Sequence, residues 1–450
     1  MELSSWQLDT IAAISGDCGV PSAGHDAQCR RNRNMDENKK YTLVINYAVL
    51  GAGGIEVALV SLMRYYLRGG HRVLWITTSR NCNDVAYKGL LEEPGLEIII
   101  WEKWERLFGI PRISFREDEH VIMITCRAMQ YIVGEELKRK AGVPDFRHFY
   151  AIAHYTGNEY YPDRYMKTAW GKRIAYRYWK KIAERMDANG CLKGFSVEHL
   201  EGYEPYYHMS VADKEKKLMP GVIAEPLCFD EENTSRREQE RKDRVVIVSC
   251  ARFEFPHKGY ILGLVDSFCR LKKKYPQAML QIIGGGEGEP VLRKKIAEIP
   301  AEIRQDIELT GIVSPDELER YYKNAHLVVG LAGAIMNGAQ SGIPSIVVRH
   351  SCSICEAYGF YAEAWEKSLC EEEGEEITPL LEHGITMSRE EYLQRARDGF
   401  QTVQEELEAY EDCYFEQMDS KPAVTVQGFR ERILGRALYV ITELKNRFER

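Results

Sequence analysis

No apolar run in this chain reaches the roughly 20 residues needed to cross a bilayer. The best candidate, from Tyr41 onward, is interrupted at Glu56. No cleavable leader is evident at the N-terminus. The twelve cysteines lack the dense spacing of a disulfide framework, which points to a reducing cytosol. Cys352 and Cys355 have CxxC spacing, but a second ligand pair for zinc is missing, so the spacing reads as incidental. Excess positive charge is absent too. The net charge of −8 argues against general nucleic-acid binding while allowing a local basic patch. The expectation is a cytoplasmic protein, soluble or peripheral at the inner face of a membrane. At 450 residues it is too long for one ordinary core, so two domains with extensions are expected.

What is present begins weakly. Residues 1–40 show no sustained periodicity and end in a polar cluster, which reads as a poorly ordered extension. Order is expected from Tyr41, where Tyr-Thr-Leu-Val-Ile-Asn46 has strand character. The turn Gly51-Ala-Gly-Gly-Ile-Glu56 leads into an apolar pattern at helical spacing, and Val73 to Thr77 reads as the next strand. This βαβ unit matches a dinucleotide fingerprint only in part. Counted from Gly51, the third glycine falls on Glu56, and no Walker lysine follows. Gly53 and Gly54 are instead candidates for letting the backbone approach a sugar or phosphate at a helix N-terminus. Further strands over 96–100, 121–125 and 149–153 give residues 41–226 the alternation of a parallel sheet covered by helices.

Two features of this first half stand out. Trp101, Trp104, Leu107 and Phe108 form an apolar stripe at helical spacing that reads as a helix covering the sheet, with a membrane-touching or acceptor-touching edge as the alternative. The stretch 164–185 carries Arg164, Lys167, Lys172, Arg173, Arg177, Lys180, Lys181 and Arg185 against one acid, Glu184, with five tyrosines and tryptophans interleaved. Such a segment can dock on an anionic membrane surface or be a solvated helix face. Nucleic acid would use the same residue types, but nothing else in the chain supports that partner.

Residues 227–244 are polar and charge-dense, the composition of a hinge-like linker. The strand and helix alternation then resumes over 245–425, and 426–450 is expected as a helix crossing back onto the first domain. The capping pattern Ser314-Pro-Asp-Glu317 marks one helix start. The apolar run at 245–249 delivers Arg252 and Lys258 into one loop at the carboxyl end of a strand, where open α/β sheets bind ligands. Two cations there suit a phosphate or pyrophosphate, although a surface arginine and lysine are the commoner fate of these residue types.

The motifs occur in a telling order. Gly53-Gly-Ile-Glu56 is followed by Arg252 with Lys258-Gly259, then Gly284-Gly-Gly-Glu-Gly288, Leu309-Thr-Gly-Ile-Val313 and Asn337-Gly-Ala-Gln-Ser-Gly-Ile-Pro344. Together they resemble family 4-type retaining glycosyltransferases of the GT-B fold, two Rossmann-like doubly wound domains facing across a cleft. The resemblance spans most of the chain. It implies that Arg252 and Lys258 hold the donor pyrophosphate, that Gly285, Gly286 and Glu287 turn near the cleft, and that Gly311, Ile312 and Val313 border the nucleotide base. It implies that Asn337 and Gly338 sit at the donor ribose, and that His154 lies close to the transferred sugar. No cofactor and no metal are expected. The substrates would be a nucleotide sugar, UDP- or GDP-linked, and a glycan or lipid-linked acceptor.

One departure qualifies that expectation. The family's Glu-x7-Glu motif has its second acid where this chain has Asn337. Counting back eight reaches Val329, with no acid between. An amide keeps hydrogen-bonding capacity without the strength of a carboxylate. A catalytically impaired binding or scaffolding subunit is therefore the second expectation. An oxidoreductase is disfavoured, because the cofactor fingerprint fails in both halves.

Overall fold

The structure is a computed structural model that describes residues 40–48, 50, 54–78, 89–101, 109–152, 166–195, 197–219, 229–369, 372–419 and 428–448. The expected extension over 1–39, most of the stripe after Trp101, and His154 and Gly53 lie outside the described residues.

The first sheet has six parallel strands in the order β3-β2-β1-β4-β5-β6. They are β1 (Tyr41–Asn46), β2 (Arg72–Thr77), β3 (Leu96–Ile100), β4 (His120–Thr125), β5 (Phe146–Ile152) and β6 (Leu192–Gly194). Helices α1 (Gly54–Arg68), α2 (Ala128–Ala141) and α3 (Ala169–Ala188) connect them. The second sheet runs β13-β12-β11-β10-β7-β8-β9. It comprises β7 (Val245–Cys250), β8 (Ala278–Ile283), β9 (Ile307–Gly311), β10 (Leu327–Gly330), β11 (Ser345–Val348), β12 (Glu356–Phe360) and β13 (Glu375–Glu376). The last two are antiparallel additions at one edge. β7 explains why its sequence is apolar throughout. Val245 and Ile247 enter one core, Val246 and Val248 enter the core on the opposite face, and the strand is covered on both sides.

The basic segment resolves into α3, capped by Thr168, whose hydroxyl accepts from the Gly171 N–H at 3.0 Å. Its aromatics are mostly internal. Ala175, Tyr178, Trp179, Ile182, Ala183 and Met186 recur at helical spacing and are buried in the first core. Burial of a side chain the size of Trp179 is worth about 2 to 3 kcal/mol. Tyr178 and Trp179 are therefore core residues and not interfacial ones.

The stretch expected as a hinge takes another form. Residues 231–240 are a helix, α4 (Glu231–Glu240), capped by Asp230, which accepts from the Asn233 N–H at 2.8 Å. Arg237 is fully buried and donates to the carbonyls of Ser341 and Gly342 at 2.9 and 2.6 Å. Arg241 donates to those of Gly384, Ile385 and Met387 at 3.0, 2.9 and 2.7 Å, while stacking over Tyr392. Guanidinium groups donating to backbone carbonyls dock this polar helix on the second domain. The segment from Phe229 to Arg244 is thus not a hinge-like linker.

The return to the first domain also begins earlier than residue 426. The longer helices that follow are α5 (Tyr260–Lys274), α6 (Glu289–Ala297), α7 (Pro315–Asn324), α8 (Ala332–Gln340), α9 (Thr378–Thr386), α10 (Arg389–Asp419) and α11 (Phe429–Phe448). α10 starts in the second domain, where Tyr392, Val403 and Leu407 are core residues. It ends on the first. Tyr65 donates to Glu411 at 3.0 Å, the hydroxyls of Tyr66 and Tyr414 meet at 3.1 Å, and Arg147 donates to the Met418 carbonyl. α11 then packs Leu438 and Tyr439 into the first core, Tyr439 stacking on Trp101. Lys181 and Arg185 of α3 both grip its Glu431.

Candidate active site

Topology selects one place in the second domain. From β7 the chain runs outward through β8 and β9, then returns to β10 and β11 on the other flank of β7. The crevice outside the carboxyl ends of β7 and β10 is therefore a topological switch point, where open α/β sheets hold ligands. Residues 251–259 leave β7 at that crevice and α8 begins there from β10.

Backbone bonds stitch the neighbouring loops together. Phe253 N–H donates to Gly285 O at 2.9 Å, Gly288 N–H to Phe253 O at 2.8 Å, and Gly284 N–H to Gly311 O at 2.8 Å. On the other flank Ser351 N–H donates to His257 O at 2.9 Å. The approach is closest at Gly284, whose φ is 137° and whose added side-chain carbon would lie 1.9 Å from Ala251 O. Only glycine serves there. Gly285 faces Ile312, since a carbon built on it would sit 3.0 Å from Ile312 Cγ1, and Ile312 itself is 54% exposed. The expected pyrophosphate, turn and base-side residues thus share one rim. Gly286 and Glu287 stand at its exposed edge, and Val313 turns partly into the adjoining core.

The two cations behave differently. Arg252 is exposed and paired with Glu254 at 2.6 Å. Lys258 is half-buried, and no carboxylate pairs with its ammonium among the described residues. Desolvation pulls its pKa down to about 8, opposed by Glu254 and assisted by Arg252. A partly desolvated ammonium with no directly paired carboxylate among the described residues is a candidate position for an anionic ligand. His257 and His350, given no role from sequence, bring their rings to 5.5 Å beside it. Burial, then Lys258 and His350, hold His257 below its usual pKa. Gly259 was the available signal for this closure. A carbon built on it would lie 2.6 Å from Cys352 O, so the loop bearing both cysteines seats directly on the Lys258 turn. Cys355 is buried there, with its thiol pKa raised.

Asn337 lies on α8, half-buried, its side-chain oxygen accepting from Gln340 Nε2 at 3.2 Å. Gly338 is turned toward the sheet, against Val328 and Ser345. α8 opens at Ala332 with φ of 50°, a left-handed conformation that costs a non-glycine residue about 1 kcal/mol. Gly54 opens α1 in the first domain, on the other sheet from these residues.

Comparison with known proteins shows what the chain resembles. Residues 230–359 match the family described as glycosyl transferases group 1, and the chain has the GT-B fold. Similar solved structures include Anabaena HepE in complex with UDP and glucose, at 12% identity and a TM-score of 0.54, over 84% of this chain and 99% of that one. TarM is similar at 10% identity and 0.53, over 86% and 100%. The trehalose-6-phosphate synthase OtsA is similar at 11% and 0.50, over 85% and 99%. No curated protein matches the sequence. The described helices include none long and apolar enough to cross a membrane.

Proposed function

We propose that the protein transfers a hexose from a UDP- or GDP-sugar to a glycan or lipid-linked acceptor, with retention of anomeric configuration and without a catalytic metal. The observation that carries this reading is the Lys258 ammonium, in direct contact with no carboxylate among the described residues, in one loop with Arg252 at the switch point between β7 and β10. A diphosphate seated there would release Arg252 from Glu254 and supply the missing counterion to Lys258. As the anomeric carbon–phosphate oxygen bond breaks and the acceptor oxygen bonds to carbon on the same face, the departing phosphate oxygen takes the acceptor's proton. Arg252 and Lys258 would stabilise the charge that develops on the leaving group. No separate general base is needed.

The second reading, a binding subunit with little turnover, is favoured by one observation. Asn337 replaces a carboxylate, and its oxygen is already engaged by Gln340. One experiment addresses both. The protein is melted with a panel of nucleotide sugars, and any stabilising donor is then assayed for turnover. Stabilisation and turnover that both vanish in Lys258→Ala support the transferase. Stabilisation without turnover or hydrolysis supports the binding subunit. If no donor stabilises the protein, the site assignment fails.

A further inference from the structure

Among the described residues, nothing covers the outer face of α11. Phe429, Ile433, Ala437, Ile441 and Leu444 recur every three or four residues and are exposed, Phe429 at 69% and Ile433 at 56%. The opposite face, Gly435, Leu438, Tyr439 and Thr442, is the one buried on the first domain. An apolar stripe along the solvent side of an otherwise anchored helix needs an occupant.

The surroundings identify its chemistry. α3 lies beside α11, joined through Lys181 and Arg185 to Glu431 and by Tyr178, whose hydroxyl closes on Gly435. Its exposed face carries Arg173 and Arg177, neither with a carboxylate partner among the described residues, and Trp170 at its start is 72% exposed. On α11 itself Arg430 is exposed and Arg432 lies over the Phe429 ring. The exposed positions 429, 430, 433, 437, 441 and 444 hold no acid. In a chain of net charge −8, this is a local cationic border around an apolar strip. A second copy seated on the same face would bring cations against cations. An anionic surface with an apolar interior satisfies both features.

We propose that α11 lies in the plane of an anionic phospholipid bilayer, its stripe among the acyl chains and the α3 and α11 cations at the headgroups. This revises the sequence expectation for 164–185. The basic helix supplies charge and Trp170, while α11 supplies the apolar contact. The inference does not depend on catalysis.

The test is co-sedimentation of the full chain with vesicles. The protein sediments with phosphatidylcholine vesicles containing about 30% phosphatidylglycerol and not with pure phosphatidylcholine. Binding weakens as salt rises from about 0.1 to 0.5 M. Ile433→Glu lowers the bound fraction at least about tenfold, and Arg173→Glu with Arg177→Glu lowers it several-fold, with unchanged melting temperatures. Should Ile433→Glu fail to fold, Phe429→Ser is read in its place. Absence of binding by the natural chain, or binding indifferent to the stripe variant, overturns the proposal. A dimer in light scattering that Ile433→Glu dissolves, without vesicle binding, overturns it in favour of a second copy.

Discussion

The amide of Gln340 donates to the side-chain oxygen of Asn337 at 3.2 Å, one helical turn apart on α8. One acceptor position of the Asn337 oxygen is thereby used, and its second lone pair and NH2 group remain for a ligand. On the proposed donor site, Asn337→Glu adds acceptors and charge toward ribose hydroxyls. We expect about tenfold tighter binding of the nucleoside diphosphate by calorimetry, the scale of one charge-assisted hydrogen bond. Unchanged affinity would remove ribose from this position.

Lys258 should make donor binding pH-dependent. Folding depresses its pKa from 10.5 to about 8, so between these values the unfolded chain holds more protons and the stability of the free protein rises with pH. An anionic ligand reverses the balance, because it favours the ammonium. Affinity should therefore be steady below about pH 8 and fall above it by up to about tenfold per unit. Lys258→Arg should abolish the fall, and Lys258→Met should weaken binding at every pH.

Gly284→Ala should destabilise the second domain. It meets a left-handed backbone and a carbonyl oxygen at 1.9 Å. A loss of about 2 to 4 kcal/mol in urea unfolding is expected, with a lowered midpoint. Gly428→Ala, where the open surroundings offer no clash, is the control.

Glu431 gives an acid-side signature. Hydrogen bonds from Arg185, and then Lys181, hold its pKa near 2 against an ordinary 4.5. Its contribution is complete above about 4.5 and is lost as pH falls toward 2. Glu431→Gln should cost about 1 kcal/mol at neutral pH and flatten the dependence of melting temperature over that window.

Much of this was legible in the chain. The runs at 245–249 and 41–46 announce strands covered on both faces, and Ser314 with Glu317 forms the expected capping box at the start of α7. The rim formed by Arg252, Lys258, Gly285 and Ile312 also follows from loops placed after consecutive parallel strands. The misreadings have physical causes. Composition marks α4 as linker because it cannot register that Arg237 and Arg241 donate to carbonyls more than a hundred residues away. The interleaved aromatics of 164–185 suggest an interface by residue type, yet the spacing of Tyr178 and Trp179 with Ala175, Ile182 and Met186 is a core stripe visible in sequence. The meeting of His257 and His350 depends on how two loops fold back, which no local pattern encodes.

α10 has a mechanical consequence. Thirty-one residues at 1.5 Å each make a rod about 46 Å long. Tyr392, Val403 and Leu407 clamp one end in the second domain, and Tyr414 and Met418 hold the other on the first. The spacing of the two sheets is therefore set by a strut and not by a tether. A pivot of about 10° at one end would carry the other roughly 8 Å, enough to open or shut a sugar-sized gap. Any such motion would have to bend α10 or part the Tyr66 and Tyr414 hydroxyls, so the stiffness of one helix and one hydroxyl pair would oppose it.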